Sequence, residues 1–555
     1  MAIARTSRLR RIQLPAVFAA ALLAAAVGCS KSPAPATAPA TDSAASTPVT
    51  GGTFHVASIG EPSNLLPPLA TDSSSFDIIG QVYNALIKYN GKYEFEGDLA
   101  ERWEVLDNGL RFRFYLRKNI KFHDGHPCTA RDVIQSYKIM TDPRTPTAYA
   151  VNYTKVKSVT AIDDYTVDVS YTESHAPALD DLASLHIIPA HLVTTAEKIS
   201  EHPLNRAPIG TGPYKFVEWQ SNVKITLKAN PDYFLGRPNI EGFEYRIIPD
   251  QQTIFLELKT GHLDRGGLTP LQWERQTNTP DIQKLLTKYD WTGLNYTYMG
   301  FNLKRDPFGD KRVRHALNYA INRKQIIDGV LMGHGKPLYG PMPPDLWYSN
   351  PNLPTYPYDP AKAKALLAEA GFSDSDGDGI LDRKGKKFSF EVITNQGNPL
   401  REQTAQIMQA NFKDLGIDMQ IRVVEWSAFL EKFVDARNFD AIILGWSLGP
   451  EPDQYNFWHS SQTGKKQFNF VTYNNPRVDE LLEISRRTVE REARKKALYE
   501  LQSILADDAP YAWLFAPNSL AAVHTRIRGV EKDIAGIGHN FEQWWIPAPM
   551  QAAIP

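Results

Sequence analysis

At 555 residues the chain is too long for one compact core, and its length suggests several folding units. Hydrophobic residues make up 42% and charged residues 22%, a globular composition that excludes wholesale disorder and fibrous repeats. The 61 basic and 62 acidic residues nearly cancel, with no long basic run, so no nucleic-acid partner is expected.

Arg5, Arg8, Arg10 and Arg11 make a positive start, followed by an apolar run from Leu14 to Gly28. This is the charge and hydropathy pattern of a secretory signal, too short to span a bilayer comfortably. It ends at Gly28-Cys29-Ser30, which resembles the lipobox at which bacterial lipoproteins are cleaved and acylated on cysteine, with Ala26 standing where leucine is usual. Residues 1–28 are therefore read as a lipoprotein signal peptide and Cys29 as the lipid attachment site. Residues 29–50, rich in Pro, Ala, Ser and Thr, bury too little apolar surface to fold and read as a disordered tether. The expected location is a periplasmic or cell-surface lipoprotein, anchored to a bacterial membrane through Cys29. No later segment carries 18 consecutive apolar residues, so the body is expected to be soluble. Cys128, left without a cysteine partner, reads as a small packed residue.

The body interleaves strands and helices. Leu110, Phe112, Phe114 and Leu116 alternate with polar neighbours, the period of a half-buried strand. The preceding Asp107-Asn108-Gly109 is a turn that pairs this strand with residues 103–106 as a hairpin. Asp359, Pro360 and Gly371 bracket AKAKALLAEA as the cap, first turn and terminator of a helix. Val313, Leu317, Ala320 and Ile321 mark a second amphipathic helix, and Ala497, Leu498, Leu501, Ile504 and Leu505 a third. The fold class is α/β, in several lobes.

Five blocks then carry a resemblance. The first is Leu99-Ala100-Glu101-Arg102-Trp103-Glu104 with Lys121-Phe122-His123-Asp124-Gly125 and Thr129-Ala130-Arg131-Asp132-Val133. Gly210-Thr211-Gly212-Pro213-Tyr214 with Asn230-Pro231-Asp232-Tyr233, Phe308-Gly309-Asp310-Lys311-Arg312-Val313-Arg314, Tyr339-Gly340-Pro341 and Tyr473-Asn474-Asn475-Pro476 follow in order. The chain resembles family 5 of the extracytoplasmic solute-binding proteins, the peptide, dipeptide and nickel binding subunits of ABC importers, and is most like the oligopeptide binders. The resemblance implies a two-lobed periplasmic-binding-protein fold with a hinge and an extra subdomain inserted in lobe one. Lobe one would take residues 51–78, 205–297 and 515–555, the insert 79–204 and lobe two 298–514. It also implies a monomeric binder, not an enzyme and without a resident cofactor, that closes on its cargo and presents it to permease subunits in the membrane. Peptides are the expected cargo; a nickel chelate, haem or a sugar are alternatives within the same fold.

In the family's peptide binders, extended segments from both lobes pair with the ligand backbone. The matching lobe-two segment is Gly445-Trp446-Ser447, after the apolar residues 441–444, and the lobe-one segment is Thr71-Asp72-Ser73-Ser74. Oligopeptide binders place an aspartate soon after this tryptophan to pair with the peptide ammonium, but Gly449 stands there. Glu451 and Asp453 follow at once and are candidates for that counter-charge.

Two further motifs remain. Gly445-Trp446-Ser447-Leu448-Gly449 fits the nucleophile elbow of a serine hydrolase, the alternative from a different class, but Pro450 and Pro452 oppose the helix such an elbow requires. Asp374, Asp376, Asp378, the Ile380 carbonyl and Asp382 match the front of a calcium loop with Gly379 at its turn. Gly385 stands where a bidentate glutamate belongs, so any calcium is expected to bind weakly.

Overall fold

Residues 47–552 are described by a computed structural model. The signal segment, Cys29 and the tether up to residue 46 lie outside the described residues.

The alternating stretch Arg111–Leu116 is a strand whose Phe112, Phe114 and Leu116 are buried. It pairs antiparallel with Ala100–Leu106 across a turn in which Asn108 takes φ 54° and Gly109 φ 85°, left-handed geometry that Asn and Gly tolerate. Thr166–Tyr171 and Val156–Asp163 complete a four-stranded sheet. This sheet packs with helix Ala130–Thr141 around a core of its own, which includes Cys128. Desolvation there raises the Cys128 thiol well above its ordinary range, so it stays protonated and inert.

The larger sheet has two halves joined by one long strand, Tyr511–His524. Residues 511–515 of that strand pair with Asn295–Phe301, which continues through Ala441–Ser447 to Ser389–Asn395 and Asp418–Val424. Residues 518–524 pair instead with Leu286–Thr292. Beyond them, Arg265–Gly267 leads to Thr53–Ser58 and Gly242–Ile247. The chain thus crosses between the halves twice, side by side, at 293–294 and at 516–517. Two adjacent strand crossings between separately packed bodies form a hinge.

Each half has its own apolar interior. Phe54, Tyr214, Phe243, Phe541 and Trp544 form an aromatic cluster in the first. Met299, Phe301, Phe308, Leu317 and Phe412 pack in the second. Helix Pro360–Glu369 begins where Asp359 accepts from the Lys362 N–H at 2.9 Å, and ends before Gly371 at φ 87°. Lys311–Ala320 and Arg491–Asp508 are the other two amphipathic helices. No helix among the described residues is long and apolar enough to cross a membrane.

Candidate functional site

Strand Ala441–Ser447 places the site. It runs antiparallel to Asn295–Phe301 with Trp446 opposite Tyr296 and Ser447 opposite Asn295. An antiparallel ladder alternates, so every second residue turns its N–H and C=O away from the partner. Leu448 N–H donates to the Leu294 carbonyl at 2.7 Å, and Asn302 N–H to that of Asp440 at 3.0 Å. Even-numbered residues of the strand therefore face Asn295–Phe301. Gly445 and Ser447 face the opposite edge, as Ile443 does, whose carbonyl accepts from Thr394 Oγ1 at 3.0 Å. On that edge Ser389–Asn395 covers the strand only at Ala441 and Ile442. From Gly445 onward no described residue pairs with it.

The uncovered edge opens into a cavity of about 740 Å³ between the lobes. Gly445, Trp446 and Ser447 line it from lobe two, and Thr71, Asp72 and Ser73 from the other side. Trp446 is half-buried and forms an aromatic wall with Phe457, Phe468 and Phe470, at ring distances of 4.6, 5.3 and 5.7 Å. Arg401 also lines the cavity. Its Nη1 donates to Asn395 Oδ1 at 2.6 Å, it pairs with no carboxylate among the described residues, and burial lowers its pKa to about 10. Sequence reasoning missed Arg401, whose only local signal is its place at the start of helix Pro399–Lys413.

The lobe-one segment is not the extended loop expected. Asp72 is the cap of helix Ser73–Val82: it accepts from Ser75 N–H at 3.0 Å and Ser75 Oγ at 2.7 Å, and its side chain is thereby committed. Ser74 points into the lobe, 3.1 Å from Ser58 Oγ, and does not line the cavity. Thr71 and Ser73 remain on the wall.

A smaller chamber of about 330 Å³ shares Ser447, Leu448 and Gly449 with the main cavity and extends under the inserted subdomain. Glu451 and Asp453 line it, but neither is a free rim acid. Glu451 pairs with Arg494, and Asp453 accepts from Arg486 Nη2 at 2.6 Å and Nε at 2.9 Å. Burial raises Glu451 even so; at Asp453 burial opposes ionisation but the Arg486 pair outweighs it and holds the pKa below the ordinary value. The two arginines come from helices Pro476–Arg487 and Arg491–Asp508, too far along the chain for spacing to reveal. Opposite Gly449 stands Asp180, from helix Ala178–Ser184 of the insert, which sequence reasoning also missed.

Arg486 also reaches across the cleft. Its Nη1 donates to the Val151 carbonyl at 3.2 Å, and its own carbonyl accepts from Ala176 N–H at 2.6 Å. Asn456 donates to Asn152 at 3.0 Å, and Tyr149 meets Phe468 at a ring distance of 5.7 Å. The insert and lobe two are thus held together over the cargo space.

Ser447 ends its strand and leads into a loop through Pro450 and Pro452, not a helix. The elbow geometry of a serine hydrolase is not formed there. Away from the cleft, Asp374, Asp376 and Asp378 bring their oxygens within 4.8 Å of one another. Asp374 accepts from Gly377 and Gly379 N–H at 2.8 and 3.0 Å, and Lys387 pairs with Asp378 and lies 3.5 Å from Asp376. Ile380 donates its N–H to Asp378 Oδ1 at 3.0 Å. Asp382 departs from the expected ligand set: it is buried and accepts from Ser375 N–H and Oγ at 2.9 and 2.6 Å.

The model of the bacterial extracellular solute-binding proteins, family 5, matches residues 94–468. The chain belongs to this family. The oligopeptide-binding protein AppA of Bacillus subtilis is 36% identical over 509 residues, covering 90% of this chain and 92% of the relative. Its solved structure with a nonapeptide superposes with a TM-score of 0.86 at 35% identity, covering 90% of this chain and all of that one. Haem-binding protein A of Haemophilus influenzae is 30% identical, covering 86% of this chain and 89% of the relative. The family is one of extracytoplasmic solute binders with two lobes and a hinge, the architecture described above.

Proposed function

We propose that this protein is the substrate-binding component of an ABC importer that holds peptides between its lobes and delivers them intact to permease subunits in the membrane. The observation that carries this reading is the uncovered strand edge at Gly445 and Ser447. Two unpaired N–H groups and two carbonyls facing a 740 Å³ cavity suit an added strand, which is what a peptide backbone supplies. Side chains then meet an aromatic wall without being read individually. Arg401, which has no carboxylate partner among the described residues, offers its guanidinium to a carboxylate at one end of the cargo. The nonapeptide held by AppA supports a cargo of this kind. In this reading the insert is 79–204 and the lobes divide at the two crossings, 293–294 and 516–517, a few residues from the 297 and 514 expected from the sequence; the protein is a monomer, performs no chemistry, and is tethered by an acylated Cys29.

Native mass spectrometry of the gently purified protein tests the cargo. A ladder of peptide masses is the expected result. A single haem, metal chelate or sugar would overturn the peptide reading while leaving a binder. Growth with a labelled fatty acid tests the anchor, with label lost in Cys29→Ala.

A weak calcium ion at Asp374, Asp376, Asp378 and the Ile380 carbonyl is a secondary proposal, supported by the convergence of three carboxylates. Lys387 competes for the same oxygens.

A further inference from the structure

We propose that the Asp180 carboxylate anchors a cationic nitrogen of the cargo in the small chamber beyond Gly449. The inference rests on the peptide reading above and deepens it. Four acids line this chamber: Asp180, Asp181, Glu451 and Asp453. Two are answered by an arginine: Asp453 holds Arg486, and Glu451 holds Arg494. A third, Asp181, is buried with its Oδ2 2.7 Å from Nε2 of His175, an imidazole that burial keeps neutral. Asp180 has only the Tyr89 hydroxyl, which donates to Oδ1 at 2.9 Å, and it pairs with no basic side chain among the described residues.

Its position is also open toward the cargo. A Cβ placed on Gly449 would meet nothing within 4 Å except Asp180 Oδ1, at 3.9 Å. Glycine at 449 leaves the carboxylate uncovered where the main cavity passes into the chamber, and any larger residue there would stand in front of it. A backbone laid along the edge at Gly445 and Ser447 continues past Gly449 toward this oxygen. Burial, then the neighbouring Asp181 and Glu451 carboxylates, push the Asp180 pKa up to about 8. A cation at this point relieves both the burial and the repulsion. The shared chemistry is a protonated nitrogen, from the α-ammonium of a peptide or from a lysine or arginine side chain.

The test uses the purified full chain and a degenerate pool of tri- to nonapeptides. Native mass spectrometry selects the peptide held most tightly, which is then titrated with a free and with an acetylated amino terminus, each with and without one lysine. Wild type should bind the free-amine form about a hundredfold more tightly than the acetylated form lacking lysine. Asp180→Asn, which keeps the Tyr89 bond, should abolish that preference. The double variant Asp180→Asn/Gly449→Asp, which returns a carboxylate from the opposite wall, should restore it, an outcome that a merely structural role for Asp180 would not produce. If lysine rescues the acetylated form, the anchored group is a side chain; if it does not, it is the α-ammonium. Because the cation must replace the proton on Asp180, wild-type affinity for the free-amine peptide should rise from pH 6 to pH 8, and that of Asp180→Asn should stay flat. A preference that survives in Asp180→Asn, or its absence in wild type, overturns the inference and leaves peptide binding standing. Retention of no peptide at all overturns the functional reading and this inference with it.

Discussion

Ser447→Pro separates the strand edge from everything else in the site. The Ser447 N–H faces the uncovered edge and has no partner in the ladder, so proline removes no hydrogen bond from the folded protein. Trp446, the preceding residue, is already extended, as proline requires. The cost to folding should stay within about 1 kcal/mol. A peptide on that edge loses one main-chain donor, and its own carbonyl is left unsatisfied in a closed cavity. Those two effects come to about 2–4 kcal/mol, or about 30- to 1000-fold in affinity. Peptide titration beside a urea unfolding curve reads both quantities. Ser447→Ala keeps the N–H and should bind like wild type. Affinity for Ser447→Pro within threefold of wild type, in a protein that is fully folded, would refute strand addition at this edge.

Trp446→Ala should lower stability by about 2 kcal/mol, since the indole is half-buried against three phenylalanine rings, and should lower peptide affinity about a hundredfold because it removes the cavity wall. Equal affinity in mutant and wild type would take Trp446 out of the site. Lys387→Ala should let millimolar calcium raise Tm by more than it does in wild type, as the competing ammonium is gone; no shift in either protein would make the acidic loop a turn only. Asp264→Asn should cost about 3–5 kcal/mol by urea unfolding at pH 7, because it strands the buried Arg526, whose Nε lies 2.5 Å from Asp264. Burial opposes ionisation of Asp264, but hydrogen bonds from His55 and Arg526 outweigh it and hold the pKa below the ordinary 3.8. The stabilisation is therefore complete above about pH 5 and lost as pH falls through the depressed value, so the gap between mutant and wild type should shrink at about pH 3.

The fold was legible where local chemistry specifies it. The Asp107-Asn108-Gly109 turn, the alternation of 110–116 and the capped helix after Asp359 each have their cause within a dozen residues, and each formed. The tryptophan strand was legible for the same reason. What the edge of that strand does was not, because the direction of the Gly445 and Ser447 amides depends on its register with Asn295–Phe301. Sequence alone leaves Glu451 and Asp453 as candidate counter-charges for the cargo because Arg494 and Arg486, which pair with them, lie on two later helices. Asp72 stands in the segment expected to be extended along the ligand, although Ser75 three positions on supplies the donor of a helix cap. Asp180 carried no signal at all: an aspartate in a short helix is ordinary until the insert folds over lobe two.

That folding-over also says how an empty cleft is kept from staying shut. Closure brings Asp180 of the insert toward Glu451 and Asp453 of lobe two, and these acids contribute to its raised pKa after burial itself. Opening the cleft returns Asp180 to water, where its pKa is near 3.8. The closed form is thus the one that prefers the proton, and between the two values each unit of acidification should favour closure by up to about tenfold. Without cargo, at a pH above 8, the uncompensated carboxylate works against the cross-cleft bonds of Arg486 and Asn152, and cargo that brings a cation removes the opposition. Small-angle scattering of the ligand-free protein should then give a smaller radius of gyration at pH 6 than at pH 9, and Asp180→Asn should hold the smaller value at both. A wild-type radius that does not change with pH, or a variant that follows the same course, would show that closure is set by the hinge and the cross-cleft hydrogen bonds alone.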